Sequence, residues 1–276
     1  MVRLLIVSVL ILPGCGVPLP GIVPTDYPEE PTTYSSSSDV IRRPYPGLNV
    51  YRGWKEYPIA LSLDPALRAD QREQIEEALN IWNEAIGETI FVSSSKLPSI
   101  NVSSFSPEDQ SESIRLRALG DQINSIYLVD KWCMTGKHIN VLGTTTTLRE
   151  QEAIDSPLIE SDIFLNAEYN DLVDALTEPQ NNDKPSVDLI SLVLHDLGHS
   201  IGLGHVSKDD DYDSVMSPTM ETDSDIVNRE PSENDILNAR IAFNLEHEYP
   251  PIDTTQEGSS YKDRGEFFPG HSCKLP

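Results

Sequence analysis

The chain has 276 residues, with 20 Lys and Arg against 45 Asp and Glu, a formal net charge of −25. So acidic a surface repels phosphate backbones and argues against a nucleic-acid partner. The length allows one sizeable domain or two small ones, with enough chain for a real core.

In chain order, Met1-Val-Arg3 and the apolar run Leu4–Leu12 come first. The run is too short to span a bilayer and has the size of a signal-peptide core. Leu12-Pro-Gly-Cys15 is similar to a bacterial lipobox, in which the cysteine is lipidated, although Pro13 is unusual there. Residues 1–15 are therefore expected to be a signal peptide with Cys15 as the lipidation site; an ordinary secretory signal is the alternative. Residues 16–47 are rich in Pro, Thr and Ser, including Ser35–Ser38, and read as a tether too polar to fold.

A folded domain is expected over 48–247, with a tail over 248–276. Tyr57–Leu63 alternates as a strand, and Asp70–Ile86 reads as a helix with Ile75, Leu79, Trp82 and Ile86 on its core face. Short strands are expected around Ile100–Val102, Ser125–Val129, Val141–Thr147 and Asp162–Ala167. After the polar loop Asn181–Lys184, a helix should open with Ser186 as N-cap and Asp188 in its first turn. Val187, Ile190, Leu194, Leu197 and Ile201 form its apolar stripe. Pro231–Leu245 makes a last helix with Ser232 as N-cap. Cys133 and Cys273 either pair, tying the tail to the domain, or remain two free thiols. His247 and His271 lack metal-ligand spacing to each other and receive no role.

The most informative stretch is His195-Asp-Leu-Gly-His199-Ser-Ile-Gly202-Leu-Gly-His205. His195 and His199 are four apart and project from one face of a helix, so they can share a metal. Gly202 can take a positive φ and end the helix in a sharp turn, which brings His205 back to the same point. Three imidazoles and one open position suit catalytic zinc.

This motif resembles that of the metzincin metalloproteases, followed by a methionine turn at Ser214-Val215-Met216-Ser217-Pro218. Pro218 points to the matrixin branch, and Val206, where matrixins commonly have serine, is a minor departure. Further likeness covers Leu48–Val92, Leu142–Thr145, Asp162–Asn166 and Ser232–Arg240. The resemblance implies an α+β, matrixin-like catalytic domain with a twisted mixed sheet, an active-site helix and a zinc site at the floor of a cleft. It implies that Met216 is an apolar floor beneath the metal. It also implies that Asp162–Ala167 is the edge strand, pairing with extended protein or peptide substrates; an internal strand of a meander is the alternative. Structural calcium is common in the family, and the loop Asp209–Asp213 is a candidate for it, although a solvated acidic loop would look the same.

One departure bears on activity. Asp196 stands where the family has the glutamate that acts as general base and then acid. Aspartate has the same chemistry with one methylene less, which sets its oxygens about 1–1.5 Å back on an unchanged backbone. Misplacement on that scale can cost about 10²-fold in rate. The expected function is extracytoplasmic zinc-dependent peptide-bond hydrolysis, with Asp196 as base; the alternative is a weakened or inactive zinc-binding pseudoprotease, a lipid-anchored binding protein. A metal-free structural lipoprotein is a third class. The His-Asp pair also suggests an HD-domain phosphohydrolase, but the only upstream histidine, His138, lies in a region that reads as strand.

Overall fold

The computed structural model describes residues 53–104, 114–150, 157–177 and 183–245, and the backbone of 271–274. The expected signal peptide, Cys15 and the tether lie outside the described residues. In chain order the elements are β1 (Ile59–Leu63), α1 (Ala69–Ile86), β2 (Phe91–Ser93), α2 (Ile114–Ala118), β3 (Asn124–Val129), β4 (Val141–Arg149) and β5 (Leu158–Asn166). There follow β6 (Asp171–Val173), β7 (Ser186–Asp188), α3 (Leu189–Ile201), α4 (Glu233–Ala242) and β8 (His271–Lys274).

The fold is α+β, built on a mixed sheet in the order β2-β1-β3-β5-β4-β8. Strands β2, β1, β3 and β5 run parallel. β4 runs antiparallel to β5, and β8 antiparallel to β4. Alternation along the strands sorts side chains to two faces. Ile59, Leu61, Leu63, Ile126, Ile163 and Leu165 meet α1 and α3 in the main core. Tyr127, Val129, Val141 and Phe164 point the other way, onto Ile114, Ala118, Val102 and Trp132.

Helix α1 forms because Ile75, Leu79, Trp82 and Ile86 recur at helical spacing, and all four are buried. It stops at Gly87, whose φ of 80° is open to glycine at little cost. Trp82 is a core residue, and its indole N–H donates to the Leu194 carbonyl of α3 at 2.9 Å, tying the two helices together.

Four expectations are corrected. The edge strand expected at Asp162–Ala167 is interior: β5 has β3 on one side and β4 on the other. Alternation identifies a strand but not its neighbours, which long-range pairing decides. The strand expected around Ile100–Val102 is absent; Val102–Ser104 is a 3₁₀ turn that drops Val102 into the second core cluster. Ser186 is not the N-cap of the metal-motif helix, because Ser186–Asp188 pairs with β6, and Asp188 caps the helix through the Ser191 N–H. The neighbourhood of His138 is a turn rather than a strand. At the other end, Ser232 caps α4 as expected, in a reciprocal box with Asp235. Cys133 is disulfide-bonded, so it is not a free thiol.

Candidate metal centre

All thirteen residues of α3 are buried, an arrangement that suits a helix of high apolar content running through the core. His195 and His199 lie one turn apart on it. Gly202 then takes a φ of 111°, and its N–H bonds back to the carbonyls of Gly198 and His199. The turn it makes delivers His205 and also presents the Leu203 carbonyl to His199 Nδ1 at 2.9 Å. His195 Nδ1 donates to the Val215 carbonyl at 2.8 Å.

Those two carbonyls fix the proton on Nδ1 of each ring, which leaves Nε2 as a lone-pair donor. The Nε2 atoms converge: His199 to His195 is 2.9 Å, and His199 to His205 is 3.2 Å. Lone pairs facing each other at such distances repel unless a cation lies between them. Tetrahedral zinc with Zn–N bonds of about 2.0–2.1 Å sets its ligands about 3.3 Å apart, so the donor set fits that ion. Among the described residues this is the only group of three or more His, Cys, Asp or Glu whose ligand atoms converge. The acidic residues of 209–213 make no such group; Asp210 is engaged by Ser207 and Asp211 by Ser232. His138 stands outside the triad, and its backbone carbonyl accepts from the Trp132 indole.

The methionine turn lies against the helix. Val206 donates its N–H to the Met216 carbonyl at 3.0 Å, which holds the turn to the segment just past His205, and Val206 itself is buried in the core. Met216 is fully buried, with its sulfur against Gly198, the residue before His199. A Cβ at Gly198 would stand 2.2 Å from that sulfur, so any larger residue there would force Met216 to shift. Behind the turn, Asp235 of α4 accepts from the Ser214 hydroxyl at 2.7 Å and the Val215 N–H at 2.8 Å. A continuous chain of contacts therefore runs from α4 through the Val215 backbone to His195.

Asp196 faces β4 rather than solvent. Its Oδ1 accepts from the Thr145 hydroxyl at 2.9 Å, and its Oδ2 is buried with no partner among the described residues. Desolvation pushes the carboxyl up to about 7, and the Thr145 hydrogen bond opposes that rise. Gly143, two residues before Thr145, gives Oδ2 its space. Gly143, Thr145, Gly198 and Asp235 were not singled out from the sequence. Glycines inside a strand and inside a helix were the available signals, since both lack another reason to be there.

A model of the matrixin family matches residues 55–241, a span that contains the three histidines, Asp196, the methionine turn and most of α4. No curated protein matches the chain. With a family match over more than half its length and a histidine triad whose donors converge as zinc demands, the chain belongs to the matrixin family of zinc metalloendopeptidases.

Proposed function

We propose that this chain is an exported endopeptidase in which His195, His199 and His205 hold zinc, Met216 floors the site and Asp196 is the general base. When bound, zinc supplies Lewis-acid chemistry and lowers the pKa of water in its open position. The observation that carries the reading is the uncommitted Oδ2 of Asp196, buried on the same helix as two of the converging imidazoles. That oxygen takes a proton from water attacking the peptide carbonyl and returns it to the leaving amine. Thr145 holds the other oxygen, so the carboxylate is oriented before substrate arrives. Extended protein or peptide chains are the substrate class, held by backbone pairing at a strand edge.

A second reading is favoured by the same carboxylate: it is one methylene short, and Thr145 draws it toward β4. In that reading the domain binds zinc and peptides but turns over slowly. Casein cleavage by zinc-loaded protein separates the two. Under the enzyme reading the wild type cuts, a chelator stops it, and Asp196→Ala abolishes it. Wild type no better than Asp196→Ala, with an active Asp196→Glu, would establish the binding protein instead.

We also propose that the domain is held at a bacterial membrane surface by lipid on Cys15, from the lipobox-like run Leu12–Cys15. Labelled palmitate should enter the wild type and not Cys15→Ser. Equal labelling of both would remove the anchor.

A further inference from the structure

The N-terminus of α3 carries an ionic cluster that touches none of the three histidines. Arg229 donates through Nε to Asp188 Oδ2 at 3.0 Å, and through Nη2 to Asp188 Oδ1 and to Asp174. The Asp188 carboxylate is buried, and it also accepts from the Ser191 N–H at 3.0 Å, the Ser191 hydroxyl at 2.6 Å and the Ala175 N–H at 3.1 Å. A half-exposed ion pair such as Lys55–Glu150 holds its partners loosely. Here a two-pronged guanidinium and three further donors converge on one carboxylate, which fixes its place closely. The cluster also reaches the methionine turn. Ser191 Oγ accepts from the Asn228 N–H at 3.0 Å, and Asn228 Nδ2 donates to the Ser214 carbonyl at 2.9 Å. Asn228 and Arg229 therefore fasten the first turn of α3 to a residue two before Met216.

The three imidazoles fall into two sets. His195 and His199 move with α3, and His195 lies seven residues past Asp188, about 10 Å along the helix. His205 belongs to the segment that Val206 ties to the Met216 carbonyl. A metal site tolerates ligand distances within about 0.2 Å, so a small slide of α3 past the turn would spoil it. Resting on the zinc reading of the three histidines, we propose that Arg229 is a positioning residue for the metal centre. By locking Asp188 and Asn228 into one cluster, it sets the axial position of α3 against the methionine turn. That position fixes how far His195 and His199 stand from His205. Arg229 itself meets neither ligand nor reacting atom.

The test uses the full chain, loaded with zinc and separately with cobalt(II), whose visible absorption reports coordination geometry. Arg229→Met keeps an apolar stem and removes both prongs, while Asp188 retains three donors and still caps α3. Ser191→Ala leaves the ion pair and cuts only the link from Asn228. Val129→Ala, in the second core cluster, is the control: it lowers Tm without touching Arg229 or its partners. Chelator competition should show zinc held about tenfold more weakly in Arg229→Met and in Ser191→Ala, with a shifted cobalt spectrum. Val129→Ala should match the wild type in both readouts. Arg229→Lys, a point charge in place of a fork, should fall between. In turnover, kcat should fall while KM stays. Wild-type zinc affinity and a wild-type cobalt spectrum in both variants would overturn the proposal. So would a weakening that Val129→Ala shares in proportion to its lost Tm. Weaker zinc binding in variants of a protein that cuts no peptide would uphold it and overturn the endopeptidase reading alone. A wild type that holds no zinc would overturn the three-histidine reading and the proposal with it.

Discussion

Gly143 and Asp196 are packed so closely that a Cβ on the glycine would stand 2.3 Å from the aspartate Oδ2. The same Cβ would lie 3.2 Å from a Leu192 methyl, so the added carbon has no easy way out. Asp196 is too short to swing far, and Thr145 holds its other oxygen. Gly143→Ala should therefore push the carboxylate out of place and lower kcat/KM by about 10²-fold, the scale of a 1 Å misplacement. Zinc content by elemental analysis should remain that of the wild type. Wild-type kcat/KM in Gly143→Ala would mean that Asp196 is not the working base.

Thr145 acts through Asp196 and is a positioning residue. Valine has its shape without its hydroxyl, so Thr145→Val should fold while leaving Oδ1 buried with no donor. The expected result is a loss of kcat with little change in KM, corresponding to about 1–3 kcal/mol of barrier. Thr145→Ser keeps the hydroxyl and should recover most of the rate. If valine and serine variants behave alike, the bond has no part in catalysis.

Asp235 lies two layers from the metal site and yet bears on it. Asp235→Ala would strand the Val215 N–H and the Ser214 hydroxyl, both buried, and would break the box that starts α4. Loss of such charged hydrogen bonds should cost about 2–4 kcal/mol in urea denaturation. Because the Val215 carbonyl orients His195, zinc affinity should fall about 10–100-fold in a chelator competition titration. A destabilised variant with unchanged zinc affinity would show that the turn holds its place without Asp235.

The histidine cluster was legible in the sequence because its geometry is local: spacing of four on a helix, and a glycine that turns the chain. The same holds for α1, whose core face follows from Ile75, Leu79, Trp82 and Ile86. What surrounds the ligands was not legible, since it depends on which strand lies beside which. Alternation marks both β4 and β5 as strands, yet only the sheet order shows that β4, with Gly143 and Thr145, faces Asp196. Ser186 and Asp188 are both good N-caps by residue type, and the choice fell to Asp188 because β6 takes Ser186–Asp188 into a ladder. The pairing of β8 with β4 joins segments more than a hundred residues apart, and no local pattern in His271–Lys274 announces it.

Asp162 gives the fold a pH dependence that is independent of the metal site. It sits on β5 facing away from α3, with Oδ1 accepting from the Ser125 N–H at 3.0 Å and Oδ2 buried without a partner among the described residues. Desolvation, with the nearby charges of Glu160 and Asp121, pushes its carboxyl up to about 8. In the unfolded chain the same group titrates near 4. Between those values the folded protein keeps a proton that the unfolded chain has released, so stability falls as pH rises from about 4 to 8 and levels off above. The slope approaches about 1.4 kcal/mol per pH unit, and the total is on the order of a few kcal/mol. Asp162→Asn cannot ionise and keeps an acceptor for Ser125. Its Tm should sit near that of the wild type at pH 4.5, rise increasingly above it up to about pH 8, and hold a constant advantage beyond. Taking the difference between variants cancels the titration of the three histidines, which both proteins share. Parallel Tm profiles from pH 4.5 to 9 would show instead that Asp162 is already ionised in the folded protein.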